Sequence, residues 1–118
     1  KQGIETGLLH AHTIKPLDAE NILAYASRVP VIVTIEEHTL IGGLGSAVAE
    51  VILEANFDPA KRFKRIGIPD VFPDEYGSQE SLMRRYALTV ENLVASVSQL
   101  VNREPLGRAG SVYKMSAR

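Results

Sequence analysis

Apolar residues along this chain fall into two alternating patterns, short β-branched runs and stripes at helical spacing. Residues 31–35, Val-Ile-Val-Thr-Ile, are apolar on both faces. That is the pattern of an interior parallel strand covered by helices on each side. Residues 63–68, Phe-Lys-Arg-Ile-Gly-Ile, read as another strand, closed by Pro69-Asp70. Residues 8–14, a short apolar segment interrupted by His10 and His12, read as a further one. Helical stripes lie between and after them. Ile22, Leu23, Ala26 and Val29 give one helix a buried face, with Asp18 as its N-cap, Glu20 in its first turn and Pro30 as its stop. Val48, Val51, Ile52 and Ala55 mark a second helix, ended by Asn56-Phe57-Asp58-Pro59. Ser78 caps a short helix over residues 79–86, and Thr89 caps the last. There Leu93, Val94, Val97, Leu100 and Val101 recur at i, i+1, i+4, i+7 and i+8, the strongest helical period in the chain. Gly3 reads as a helix-ending glycine, as if a helix ran in from preceding residues. The order β-α-β-α-β-α-α predicts an α/β layered fold with right-handed crossovers. From Arg103 on, Pro105, Gly107, Gly110 and a basic excess predict an irregular tail over residues 103–118, leaving a domain over residues 1–102.

Composition narrows the class without naming a function. A chain of 118 residues suffices for one domain with a single core. A hydrophobic content of 45% and a charged content of 23% are those of an ordinary soluble globular protein. The net charge is −1 and the basic residues are scattered, so no nucleic acid or other polyanion partner is expected. The absence of cysteine excludes disulfides, thiolate metal sites and a cysteine nucleophile, and fits a cytoplasmic protein. No apolar run approaches the ~20 residues needed to span a bilayer, so no membrane partner is expected. The first residues, Lys1-Gln2-Gly3-Ile4, have no signal-peptide shape and no initiator methionine, as expected of a trimmed or excised piece.

The most chemical stretch follows the best strand. Glu36, Glu37 and His38 stand at its carboxyl end, where α/β folds usually bind ligands, and Gly42, Gly43 and Gly45 then turn the chain into a helix. A glutamate beside a histidine is a candidate acid/base pair. In a strand, however, Glu36 and Glu37 point to opposite faces, so at most one of them joins a given site. The plainer alternative is that one carboxylate caps nearby backbone N–H groups or pairs with a base across a domain contact. The glycines are a candidate cradle for an anion at a helix N-terminus. Their Gly-Gly-x-Gly spacing is neither a dinucleotide fingerprint nor a phosphate loop, and close strand–helix packing is the favoured explanation. His10 and His12 share one strand face but lack a third metal ligand, so no metal site is assigned. Lys61, Arg62, Lys64 and Arg65 are candidates for a phosphate contact or, more ordinarily, a solvated face. Ser46 lies in no G-x-S-x-G elbow, which argues against a hydrolase serine.

Taken in order, several segments resemble the C-terminal domain of the transketolase family of thiamine-diphosphate enzymes. They are Thr13-Ile14-Lys15-Pro16-Leu17-Asp18, Val33-Thr34-Ile35-Glu36-Glu37-His38, Gly42-Gly43-Leu44-Gly45-Ser46-Ala47-Val48-Ala49-Glu50, Gly67-Ile68-Pro69-Asp70 and Tyr86-Ala87-Leu88-Thr89. Each is weak alone; the ordered set, over about residues 3–101, is specific. The nearest resemblance is to the C-terminal subunit of split transketolases, with deoxyxylulose-phosphate synthase and the beta subunit of 2-oxoacid dehydrogenases as runners-up. The resemblance implies a three-layer α/β/α domain with a mostly parallel sheet, lacking the family's first strand and helix. That strand would lie between those matching residues 8–14 and 31–35. An isolated piece would then repair the sheet directly or borrow a neighbour. The resemblance implies two-carbon ketol transfer between sugar phosphates by the whole enzyme, with thiamine diphosphate and a divalent metal held in other domains. It implies no catalytic, cofactor or metal residue in this chain, which alone is expected to be inactive. The expected partners are the other domains or subunit of the parent enzyme and further copies in a homo-oligomer. Glu36, Glu37, His38, Gly42, Gly43 and Gly45 remain as a candidate anion or interdomain contact. A non-catalytic anion- or effector-binding module is the alternative from another class.

Overall fold

The computed structural model describes residues 3–74 and 76–102. Its described elements run α1 (Ala19–Ala26), β1 (Val31–Thr39), α2 (Leu44–Glu54), β2 (Arg62–Ile68), α3 (Gln79–Arg85) and α4 (Val90–Val101). All three predicted side-chain caps form. Asp18 accepts from the Asn21 N–H at the start of α1, Ser78 from Ser81 N–H at α3, and Thr89 from Asn92 N–H at α4. Each satisfies one of the N–H groups a helix start leaves without an intrahelical partner. The Asp18 carboxyl is held below its ordinary value of 3.8, first by the Asn21 side-chain amide, then by the Asn21 backbone N–H.

β1 and β2 pair in parallel, with Val31 opposite Arg62, Ile32 opposite Phe63 and Ile35 opposite Ile66. The ladder is irregular between Ile35 and Thr39, then resumes with Thr39 opposite Ile68. The alternation of a strand assigns the two faces. Ile32 and Phe63 pack against a core cluster of Ile22 and Ala26 from α1 with Val48 and Ile52 from α2. The opposite face carries Ile66, buried, and Arg62, whose guanidinium donates to the Leu100 carbonyl at 2.6 Å and the Val101 carbonyl at 3.3 Å at the end of α4. Helices therefore cover both faces of a parallel pair, the three-layer α/β/α arrangement. Arg62 also supplies positive charge where the carbonyls of α4 end without partners.

Three expectations from the sequence are corrected. Residues 8–14 are not a strand: they pair with nothing among the described residues, and Leu8 is 92% exposed. A strand exists through its ladder, and within the described residues the sheet holds β1 and β2 alone. Val29 lies beyond α1, which ends at Ala26 with Ser27 as its C-cap, and is exposed. Ala55 is the exposed C-cap of α2 rather than part of its buried face. The period predicted for the last helix holds in α4, where Leu100 is buried, Leu93 and Val97 are half-buried, and Val94 and Val101 stand at the exposed edge of the stripe. The tail over residues 103–118 lies outside the described residues.

Candidate functional site

The corner between β1 and α2 is built around one carboxylate. The α2 N-cap is Gly43, which has no side chain to cap with. Glu36, still on β1, supplies the missing acceptor from eight residues upstream. Its Oε2 accepts from the Leu44 N–H at 2.6 Å and its Oε1 from the Gly45 N–H at 2.8 Å. Both oxygens are thus aimed at the positive end of α2. The glycines make that approach sterically feasible. Gly42 has φ +74°, the left-handed region that favours glycine. A Cβ on Gly43 would strike the Glu36 carboxylate, and one on Gly45 would lie 2.7 Å from Thr34 Oγ1 and 2.8 Å from Arg65 Cγ.

Period-2 alternation separates the two glutamates as the sequence predicts. Glu37 turns to the other face and accepts from Gln79 Nε2 at 2.7 Å, tying the start of α3 to the tip of β1. His38 is exposed, with Nδ1 3.0 Å from the carbonyl of its neighbour Thr39. A carbonyl only accepts, so that nitrogen carries the proton. The trio therefore does not converge: Glu36 faces α2, Glu37 faces α3, and His38 bonds locally.

Two residues organise the corner without having been singled out for it. Ser46 Oγ donates to the Leu40 carbonyl at 2.9 Å and accepts from the Gly42 N–H at 3.1 Å. Arg65 Nη1 reaches the same Leu40 carbonyl at 2.5 Å and Ser46 Oγ at 2.9 Å. Arg65 stands opposite Thr34 in the ladder and shares its face, so the alternation of β2 was the available signal. The basic cluster is largely spent on internal bonds. Lys61 Nζ donates to the Val29 carbonyl at 2.9 Å and lies 4.6 Å from the centroid of the Phe57 ring, while Arg62 closes α4. His10 and His12 are exposed on the unpaired segment, His12 Nδ1 lying 2.7 Å from Thr13 Oγ1. Among the described residues no group of three or more His, Asp or Glu is placed to hold a metal ion, and no helix is long and apolar enough to cross a membrane.

Comparison with known proteins agrees with this architecture. The sequence profile of the family described as "Transketolase, C-terminal domain" matches residues 1–93. An uncharacterized transketolase family protein of Sinorhizobium fredii is 42% identical over 100 residues, covering 84% of this chain and 28% of that protein. A 1-deoxy-D-xylulose-5-phosphate synthase of Syntrophotalea carbinolica is 37% identical over 103 residues, covering 87% of this chain and 16% of the synthase. Among solved structures, one titled "Split gene transketolase, inactive beta4 tetramer" superposes with a TM-score of 0.63 at 38% identity, over 74% of this chain and 27% of that one. The chain therefore spans between about a sixth and a little over a quarter of the length of these relatives.

Proposed function

This chain belongs to the transketolase C-terminal domain family, and from that premise we propose that it is the C-terminal domain of a cytoplasmic, thiamine-diphosphate-dependent transketolase. The whole enzyme would move a two-carbon ketol unit between sugar phosphates. This domain would shape the contact with the catalytic domains and support a homo-oligomer. The observation that carries the reading is the Glu36 cap. The one glycine-rich turn that opens a helix among the described residues is filled by the chain's own carboxylate. A diphosphate brought there would meet a negative charge where the chemistry requires donors. The residues present do not fit the cofactor, which supports placing thiamine diphosphate and its divalent metal in the other domains. The same occupancy weighs against the anion-binding module. Glu37, His38 and Gly42 are the exposed groups of this corner, on the surface a neighbouring domain would meet.

A second reading has its own support, since several relatives at 37–43% identity are 1-deoxy-D-xylulose-5-phosphate synthases. One experiment separates the two. The polypeptide that carries this chain together with the residues preceding it is assayed, with and without thiamine diphosphate and magnesium. Ketol transfer between sugar phosphates supports the first reading, and formation of 1-deoxy-D-xylulose 5-phosphate supports the second. Either activity in the 118-residue chain by itself would overturn both.

A further inference from the structure

Two loops leave the same end of the sheet. The chain beyond β1 passes through Leu40, whose N–H donates to the Ile68 carbonyl at 2.8 Å, and on to the exposed Ile41. The chain beyond β2 passes through the exposed Val71, Phe72 and Tyr76 before α3. Phe72 is 98% exposed and Tyr76 fully so. The chain has only three phenylalanines and four tyrosines, and two of these seven rings stand bare within five residues. Singly exposed apolar side chains are ordinary. An apolar group with two full aromatics on one rim is the composition of an interface core.

The loop carrying the rings is held at three points. The Arg85 guanidinium meets Asp74 Oδ1 at 2.6 Å, Gln79 Nε2 meets Glu37, and Ser78 caps α3. These ties anchor Asp74 and the start of α3 on either side of the rings. None of them buries the rings. Both aromatics are the kind of side chain that anchors protein–protein contacts.

The geometry points to this end of the sheet, presenting Ile41, Val71, Phe72 and Tyr76, as the face on which the preceding part of a longer parent enzyme docks. The inference rests on reading the chain as the C-terminal domain of such an enzyme. The occupant follows from length: the matched region is 28% of one relative and 16% of another, so most of each relative lies outside it. An exposed apolar rim in so small a share of a longer protein is most simply met by the remainder.

Hydrogen–deuterium exchange of residues 69–78 tests this, in the 118-residue chain and in the polypeptide that also carries the preceding residues. Exchange in the longer polypeptide is expected to slow by about tenfold or more. The double substitution Phe72→Ala/Tyr76→Ala is expected to abolish that protection. In the 118-residue chain it should move the melting temperature by no more than about 2 °C, because neither ring is buried there. Equal exchange in the two polypeptides overturns the proposal. So does protection that appears in the short chain alone and grows with its concentration, which would make the occupant a second copy. Protection in a longer polypeptide lacking both assayed activities leaves the docking face standing and removes only the functional reading.

Discussion

At the scale of single residues, the corner turns on how much one carboxylate contributes. Glu36 accepts from two backbone N–H groups at the start of α2, whereas Glu37 accepts from one exposed side chain. Glu36→Gln keeps the length but removes the charge and leaves one oxygen for two donors. It is expected to cost about 1–2 kcal/mol in urea unfolding, a typical loss for a helix cap plus its dipole interaction. Glu37→Gln is expected to stay within about 0.5 kcal/mol. Equal costs for the two would mean that the cap carries no special weight. Behind Glu36, Thr34 is 8% exposed and its hydroxyl has no hydrogen-bond partner. Thr34→Val keeps the shape and removes an unsatisfied polar atom, so stability is expected to hold or rise. A loss above about 1 kcal/mol would show that the hydroxyl is bonded after all. The sequence tells that Glu36 and Glu37 diverge, because that is strand alternation alone. Which of them caps α2 depends on where the helix docks, and that rests on packing over Gly43 and Gly45 which no local pattern encodes.

At the scale of elements, starts were easier to read than ends. Asp18, Ser78 and Thr89 cap by reaching three residues ahead, a purely local event. The end of α3 falls within one residue of the predicted one, but the device that makes it carries no glycine signal. Leu88 N–H donates to the Met83 carbonyl at 2.8 Å and Ala87 N–H to the Arg84 carbonyl at 3.1 Å. This double bond pattern is a Schellman cap, and it sets Ala87 at φ +56°. Glycine is the residue that ordinarily marks such a stop; alanine hides it and pays with a strained backbone. Ala87→Gly is therefore expected to raise the urea midpoint by about 0.5–1 kcal/mol of stability with an unchanged m-value. A lower midpoint would mean that the methyl packs better than the backbone suffers. The segment over residues 8–14 failed for a different reason. Its composition suits a strand, but strands are made by partners, and the described residues give it none.

At the scale of the molecule, the unfinished part is the free side of β1. Arg62 N–H donates to the Pro30 carbonyl, with Val31 as the register partner of Arg62. In a parallel ladder the residues of a strand bond alternately to one neighbour and the other. Ile32 and Thr34 therefore bond toward β2, and Val31, Val33 and Ile35 turn their N–H and C=O groups to the side where no described strand lies. Such an edge, β-branched and without charge from Val31 to Ile35, invites pairing. In relatives several times longer than the matched region, a strand from outside the described residues is the expected occupant. Proline scanning reads the occupancy directly, because proline deletes one N–H. In the 118-residue chain, Val33→Pro removes an unpaired donor and is expected to lower stability far less than Thr34→Pro, which removes a ladder bond to β2. In the longer polypeptide both donors would be paired, and the two substitutions should become similarly costly, at about 3 kcal/mol or more each. A Val33→Pro variant as mild in the longer polypeptide as in the short chain would show that this edge stays open there, and that the sheet is completed elsewhere or not at all.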